Sequence, residues 1–180
     1  MKRDFASLTA QEALHVAVFI EERNAEIYHQ FAELFAEFHD TDSLEIASTF
    51  WEMADEERQH GTLLQKLYFE RFGNAPCAIT EEDIRDFIEV PRLHDGEIFC
   101  TSKLKNGRSP RETALEVAIN SEQAAVRYYT RLSQITNDPE LRALYHEFVT
   151  FETHHTDWLQ NKIAETRRSA SEKPKSGFKV

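Results

Sequence analysis

Four long segments of this chain carry apolar residues at every third or fourth position, which is the spacing of one face of an α-helix. A glutamate stands in the middle of each of these apolar stripes. The four are Glu21, Glu57, Glu122 and Glu152, and a histidine follows three residues after the second and fourth of them, at His60 and His155. Burying four carboxylates without compensation costs several kcal/mol for each group. Bound cations would provide this compensation.

Capping signals predict where the four helices begin. Thr9 and Glu12 have the spacing of a capping box, and Ser109 followed by Pro110 gives a second clear helix start. The second helix is expected to begin near Asp42 and to end at Gly73. The predicted helices span about residues 9–39, 42–72, 109–136 and 138–165.

The connections between these helices are unequal in length. Short links join the first helix to the second and the third to the fourth, whereas residues 73–108 separate the two pairs and hold one predicted short helix from Thr80 to about Glu89. One long crossover between two helical hairpins predicts an all-α, ferritin-like four-helix bundle with the crossover between helices 2 and 3. We expect this bundle to occupy residues 1–165 and residues 166–180 to form a flexible basic tail.

The charges of the buried acids and of metal ions match. Two divalent cations supply +4 against four carboxylates, and two neutral imidazoles complete the coordination without adding charge. Glu57 and Glu152, each one turn before a histidine, are the expected bridging ligands, and Glu21 and Glu122 are the expected terminal ligands. Carboxylate and imidazole ligands with open coordination positions favour two iron ions, with manganese as the alternative, over a structural zinc site.

An internal repeat indicates that the site has approximate two-fold symmetry. Glu21 is followed seven residues later by Tyr28, and Glu122 is followed seven residues later by Tyr129. Both tyrosines lie two turns along the face that carries the glutamate. They are candidate catalytic residues that hydrogen-bond a ligand carboxylate or donate single electrons, and ordinary core packing is the alternative.

These motifs resemble a known family. The segments Glu21-x6-Tyr28-x2-Phe31-Ala32 and Phe50-Trp-Glu-Met-Ala-Asp-Glu-Glu57-Arg-Gln-His60 are similar to the first two helices of rubrerythrin, in the ferritin-like superfamily, and the similarity covers about residues 10–165. The six predicted ligands resemble the ferroxidase centre of bacterioferritin. The resemblance implies a di-iron oxidoreductase that oxidises Fe(II) with O2 or H2O2 and removes peroxide.

Two features differ from the rubrerythrin pattern. Rubrerythrins usually add a domain with four cysteines, whereas this chain has only Cys77 and Cys100. They also commonly carry a further carboxylate one turn after the glutamate of the third helix, where this chain has Ala125. The alternatives are an iron-storage or cargo ferritin-like protein, a di-iron hydroxylase and a di-manganese catalase-like enzyme. The storage or cargo protein would use the same centre, whereas the hydroxylase or the catalase-like enzyme would need a substrate channel or a different metal.

Composition bears on partners and location. The net charge of −11 argues against nucleic acid as a partner, and no apolar run is long enough to span a membrane. Two isolated cysteines and the absence of a signal peptide predict a cytoplasmic protein. A homodimer or larger assembly, with an unknown electron donor, is expected from a second apolar face on the first helix, made of Ile20, Ile27, Phe31, Leu34 and Phe38.

Overall fold

A computed structural model of the chain describes residues 4–84 and 109–172. All regular structure in this part of the chain is helical. A 3-10 turn, Phe5–Ser7, precedes five α-helices: α1 (Ala10–Ala36), α2 (Thr41–Phe72), α3 (Glu81–Ile84), α4 (Pro110–Ile135) and α5 (Pro139–Glu172). None of these helices is both long and apolar enough to cross a membrane.

The four long helices form two antiparallel hairpins. α1 packs along α2, α4 packs along α5, and α1 also contacts α4. The hairpins are joined between α2 and α4 by the predicted crossover, of which residues 85–108 lie outside the described residues. The predicted four-helix bundle is confirmed. Of the short helix predicted from Thr80 to Glu89, the described part is α3.

The helix starts follow the capping signals with one correction. Capping boxes at Thr9 and Ser109 begin α1 and α4 as predicted. α2 begins slightly earlier in the chain than the predicted start near Asp42. Its N-cap is Asp40, whose Oδ1 accepts a hydrogen bond from the Ser43 amide at 2.9 Å. Gly73, with φ of +60°, ends α2 as expected.

The last helix is longer than predicted. α5 continues to Glu172 instead of ending near Glu165, so the first residues of the predicted tail are helical, and residues 173–180 lie outside the described residues. No glycine or proline occurs between Glu165 and residue 173. Arg167 also holds the extension against α4, with Nε 3.1 Å from Glu112 and a second nitrogen 3.3 Å from Glu116.

The apolar core is divided into two clusters, and the glutamates lie where each helix passes from one cluster to the other. Glu21 separates Ala17 from Ile27 on α1, and Glu122 separates Ala118 from Ala125 on α4. The same division holds at Glu57 on α2 and Glu152 on α5. The carboxylates thus form a polar layer through the middle of the bundle.

The second apolar face of α1 is not a surface patch. Ile20, Ile27 and Phe31 are at most 1% exposed within the single chain. The buried surface of α1 is therefore wider than the single apolar stripe predicted from the sequence. Phe38 alone of the five residues is strongly exposed, at 57%. The apolar face that motivated the dimer prediction is thus largely internal, and assembly stays a prediction.

Candidate metal centre

The six predicted ligand residues converge in the polar layer. α1 contributes Glu21, α2 contributes Glu57 and His60, α4 contributes Glu122, and α5 contributes Glu152 and His155. All four glutamates are 0% exposed, His155 is buried and His60 is partly buried. Glu22, the neighbour of Glu21, is exposed, so the rotational phase predicted for the first helix agrees with the structure.

The six residues form two overlapping groups that could each hold a metal ion. One consists of Glu21, Glu57, His60 and Glu152, and the other of Glu57, Glu122, Glu152 and His155. In each group, one potential ligand atom per residue lies within 4.8 Å of the others. Glu57 and Glu152 belong to both groups, which places them between the two positions.

Both histidines turn Nδ1 toward the carboxylates. His60 Nδ1 lies 3.3 Å from Glu21 Oε2 and 3.9 Å from Glu152 Oε1. His155 Nδ1 lies 2.9 Å from Glu57 Oε1, 3.6 Å from Glu152 Oε2 and 3.7 Å from Glu122 Oε2. The same nitrogen of each ring is therefore available to a shared centre.

The two predicted tyrosines bind the glutamates crosswise. Tyr28 on α1 donates a hydrogen bond to Glu122 Oε1 on α4, and Tyr129 on α4 donates one to Glu21 Oε1 on α1. Both rings are 0% exposed, so core packing and hydrogen bonding occur together. Burial, followed by the nearby Glu122 or Glu21 carboxylate, raises the pKa of each phenol well above its usual value, and both hydroxyls keep their protons.

Eight buried atoms of this cluster have no hydrogen-bond partner among the residues that the structure describes. They are Oε2 of Glu21 and Glu122, both carboxylate oxygens of Glu57 and Glu152, and Nδ1 of His60 and His155. The 2.9 Å contact between His155 Nδ1 and Glu57 Oε1 meets the distance of a hydrogen bond but not its geometry. Buried polar atoms are normally satisfied, and this all-oxygen and nitrogen donor set fits a pair of divalent cations such as iron or manganese.

Without metal, the cluster retains protons. Burial, and then the neighbouring carboxylates, raise the pKa of Glu57 and of Glu152 well above the usual value. For Glu122, burial also raises the pKa, but contacts with Glu152, His155 and Tyr28 outweigh it and lower the pKa overall. Burial lowers the pKa of His155, but the surrounding carboxylates raise it by more, which favours the imidazolium form.

Two features beside the centre are absent from the sequence prediction. Glu56 Oε2 lies 2.8 Å from His155 Nε2, and Ser121 Oγ donates to Asn24 Oδ1 at 2.5 Å. Asn24 follows Glu21 by three residues, so the helical spacing already placed it on the buried face. From the sequence, Glu56 looks like an ordinary exposed acid. No sequence pattern connects it to His155, which is 99 residues away.

Comparisons with known proteins agree with this architecture. A crystal structure of an uncharacterized conserved protein from Magnetospirillum magnetotacticum superposes with a TM-score of 0.68, at 22% identity, over 88% of this chain and 95% of that chain. This likeness shows the fold. A comparison with curated proteins found no match. The family profile of rubrerythrin matches residues 12–105, more than half of the sequence. The chain belongs to the rubrerythrin family.

Proposed function

We propose that the six side chains hold two iron ions and that the protein is a di-iron oxidoreductase that oxidises Fe(II) with O2 or H2O2. The observation that carries this proposal is the set of eight buried, unpartnered donor atoms in two groups that share two carboxylates. Four ionised carboxylates carry −4, which two divalent ions balance. Membership of the rubrerythrin family supports the same reading.

The hydrogen bonds of the carboxylates support a different role for each pair. Within the described residues neither oxygen of Glu57 or of Glu152 has a hydrogen-bond partner, and both residues belong to both groups, so they would be the carboxylates available to both ions. Glu21 and Glu122 have Oε1 occupied by a tyrosine hydroxyl, which leaves Oε2 for one ion. His60 and His155 would bind through Nδ1. The sequence predicts the same bridging and terminal roles, and both remain proposals.

Two ferrous ions at this position would supply the two electrons that, together with two protons from solvent, reduce one H2O2 to two water molecules. The chain's own contribution is to exclude bulk water, because the four glutamates are fully buried between the two apolar clusters. Tyr28 and Tyr129 hold their protons and fix the orientation of the terminal carboxylates. We propose that they are also the nearest groups able to donate a single electron to the site.

Anaerobic binding followed by oxidant addition tests this function. Metal-free protein should bind two Fe(II) ions per chain, and one H2O2 should oxidise both, as followed by stopped-flow absorbance and titration of residual Fe(II). The Glu57→Gln variant should lose rapid oxidation. Glu22→Gln, the same substitution at an exposed position, should keep it. Binding of fewer than two ions, or equal rates in wild type and Glu57→Gln, would contradict the proposal.

A further inference from the structure

Each helical hairpin carries one Glu-x-x-His motif, which begins at Glu57 in α2 and at Glu152 in α5. The residue that precedes this glutamate differs between the two hairpins. In α2 this residue is Glu56, before Glu57, and in α5 it is Phe151, before Glu152. Each of these two side chains contacts the histidine of the opposite helix. The two positions correspond in the repeat, but one carries a carboxylate and the other an aromatic ring.

The two histidine contacts are unlike. Glu56 Oε2 lies 2.8 Å from His155 Nε2. The His60 ring instead stacks on Phe151, with ring centroids 4.8 Å apart and planes 15° apart, and it also packs against Phe148 at 5.3 Å. Within residues 4–84 and 109–172, no side chain accepts a hydrogen bond from His60 Nε2.

These contacts have different consequences for metal binding. When Nδ1 binds a metal ion, the one ring proton of His155 lies on Nε2, and Glu56 Oε2 can accept a hydrogen bond from it. A carboxylate in this place fixes the tautomer and ring orientation and makes the ligating nitrogen more basic. An aromatic ring holds the orientation of His60 by packing alone and accepts no hydrogen bond in its plane.

We propose that the two metal positions are unequal, and that Glu56 makes the His155–Glu122 position the tighter one and the first to fill. The proposal rests on the di-iron function proposed above and goes beyond it, because it assigns an order of binding and a positioning role to Glu56. The His60–Glu21 position then binds the second ion more weakly.

Two further observations agree with this order. His155 Nδ1 has three carboxylates within 3.7 Å, whereas His60 Nδ1 has two within 3.9 Å. A surface cavity of about 340 Å³, lined by Glu52, Glu56, His154 and Trp158 among others, reaches His155 from outside. The aromatic rings of Phe148 and Phe151 cover His60 instead. A cation could therefore approach the His155 side past two acidic side chains, Glu52 and Glu56.

Titration of the metal-free full chain with Mn(II), followed by calorimetry, tests the inequality. We expect two binding steps with dissociation constants separated by about 10-fold or more. Anomalous scattering from crystals with less than one Mn(II) per chain should show the ion beside His155 and Glu122. Equal occupancy of both positions, or preferential occupancy beside His60, would overturn the proposal without need of any variant.

Variants test whether Glu56 is the cause. Glu56→Ala should weaken the tighter constant about 10–100-fold and leave the weaker one nearly unchanged. Glu56→Gln, whose amide oxygen can still accept a hydrogen bond, should restore part of the loss. Glu52→Ala removes a charge from the same cavity and should leave both steps separated as in the wild type. Phe151→Glu should tighten the weaker step.

The results also separate this inference from the proposed function. A total of two ions bound with equal affinity contradicts the inequality alone, whereas a total other than two contradicts the dinuclear centre itself. If Glu56→Ala and Glu52→Ala weaken binding equally, the effect is general charge and the positioning role of Glu56 is wrong.

Discussion

The hydroxyl of Tyr28 on α1 donates a hydrogen bond to Glu122 Oε1 on α4. The repeat produces the reciprocal bond from Tyr129 to Glu21. Each hairpin therefore orients a terminal carboxylate of the other hairpin, and each bond leaves one oxygen directed at the centre. This crosswise arrangement links the two halves of the bundle at the level of the candidate metal site.

Replacing either tyrosine should loosen the carboxylate that it holds. Tyr28→Phe removes the donor to a buried acceptor, and we expect it to lower the free energy of unfolding by about 1–3 kcal/mol. Tyr145→Phe is the matched control, because the Tyr145 hydroxyl is buried but forms no hydrogen bond within the described residues. Urea unfolding of both variants should show a clear loss for the first only, and equal losses would contradict the role of the Glu122 contact.

Glu152→Gln should separate the cost of the buried charge from its use in metal binding. Without metal, the variant should be as stable as the wild type or more stable, since it replaces a buried acid that must hold a proton or repel its neighbours with a neutral side chain of nearly the same volume. With Fe(II) it should lose most of the stabilisation. In the wild type, free metal at 100 times its dissociation constant adds about 2.7 kcal/mol per site. Anaerobic melting curves with and without Fe(II) provide the measurement, and a large loss of stability in the metal-free variant would indicate a purely structural acid.

The stability of the metal-free protein should fall as the pH rises from about 5 to 8. The folded-state pKa of Glu57 and Glu152 is raised above 4.5, and that of His155 above 6.5. Stabilisation from such groups is complete below the unfolded-state value and is lost as the pH climbs toward the folded-state value. The unfolded chain releases these protons, whereas the folded chain must retain them or bear the repulsion.

Bound metal should reverse this dependence, because acid protonates the ligands and releases the ions. Melting temperatures measured across the same pH range, with chelator and with Mn(II), should therefore have opposite slopes. Parallel slopes in the two series would show that the buried carboxylates do not control stability.

Gly61 should tolerate a methyl group but not a large side chain. A Cβ at this position would lie 3.5 Å from Glu21 Cβ, which is an ordinary contact. Gly61→Ala should leave metal binding intact and stabilise the protein by up to about 1 kcal/mol, because glycine is unfavourable within a helix. Gly61→Leu should push α1 away and weaken binding of one Mn(II). Normal binding of both ions in Gly61→Leu would show that Glu21 does not depend on this close approach.

The sequence by itself determined which six residues face the core. Helical periodicity fixes the angle of each side chain about its own axis, so a glutamate in the middle of an apolar stripe must face the interior. Glu21 and Glu22 illustrate this, since one is fully buried and its neighbour is exposed. Capping boxes at Thr9 and Ser109 likewise depend on residues only three positions apart.

Only the tertiary structure decided which side chains meet across helices. The pairing of Tyr28 with Glu122, and of Glu56 with His155, depends on the axial offset and rotation of one helix relative to another. Packing of many side chains sets these quantities, and no local spacing encodes them. Packing between helices also explains why Ile27 is buried, although the sequence places it on a second apolar face of α1. It likewise explains the extension of α5, where Arg167 contacts α4.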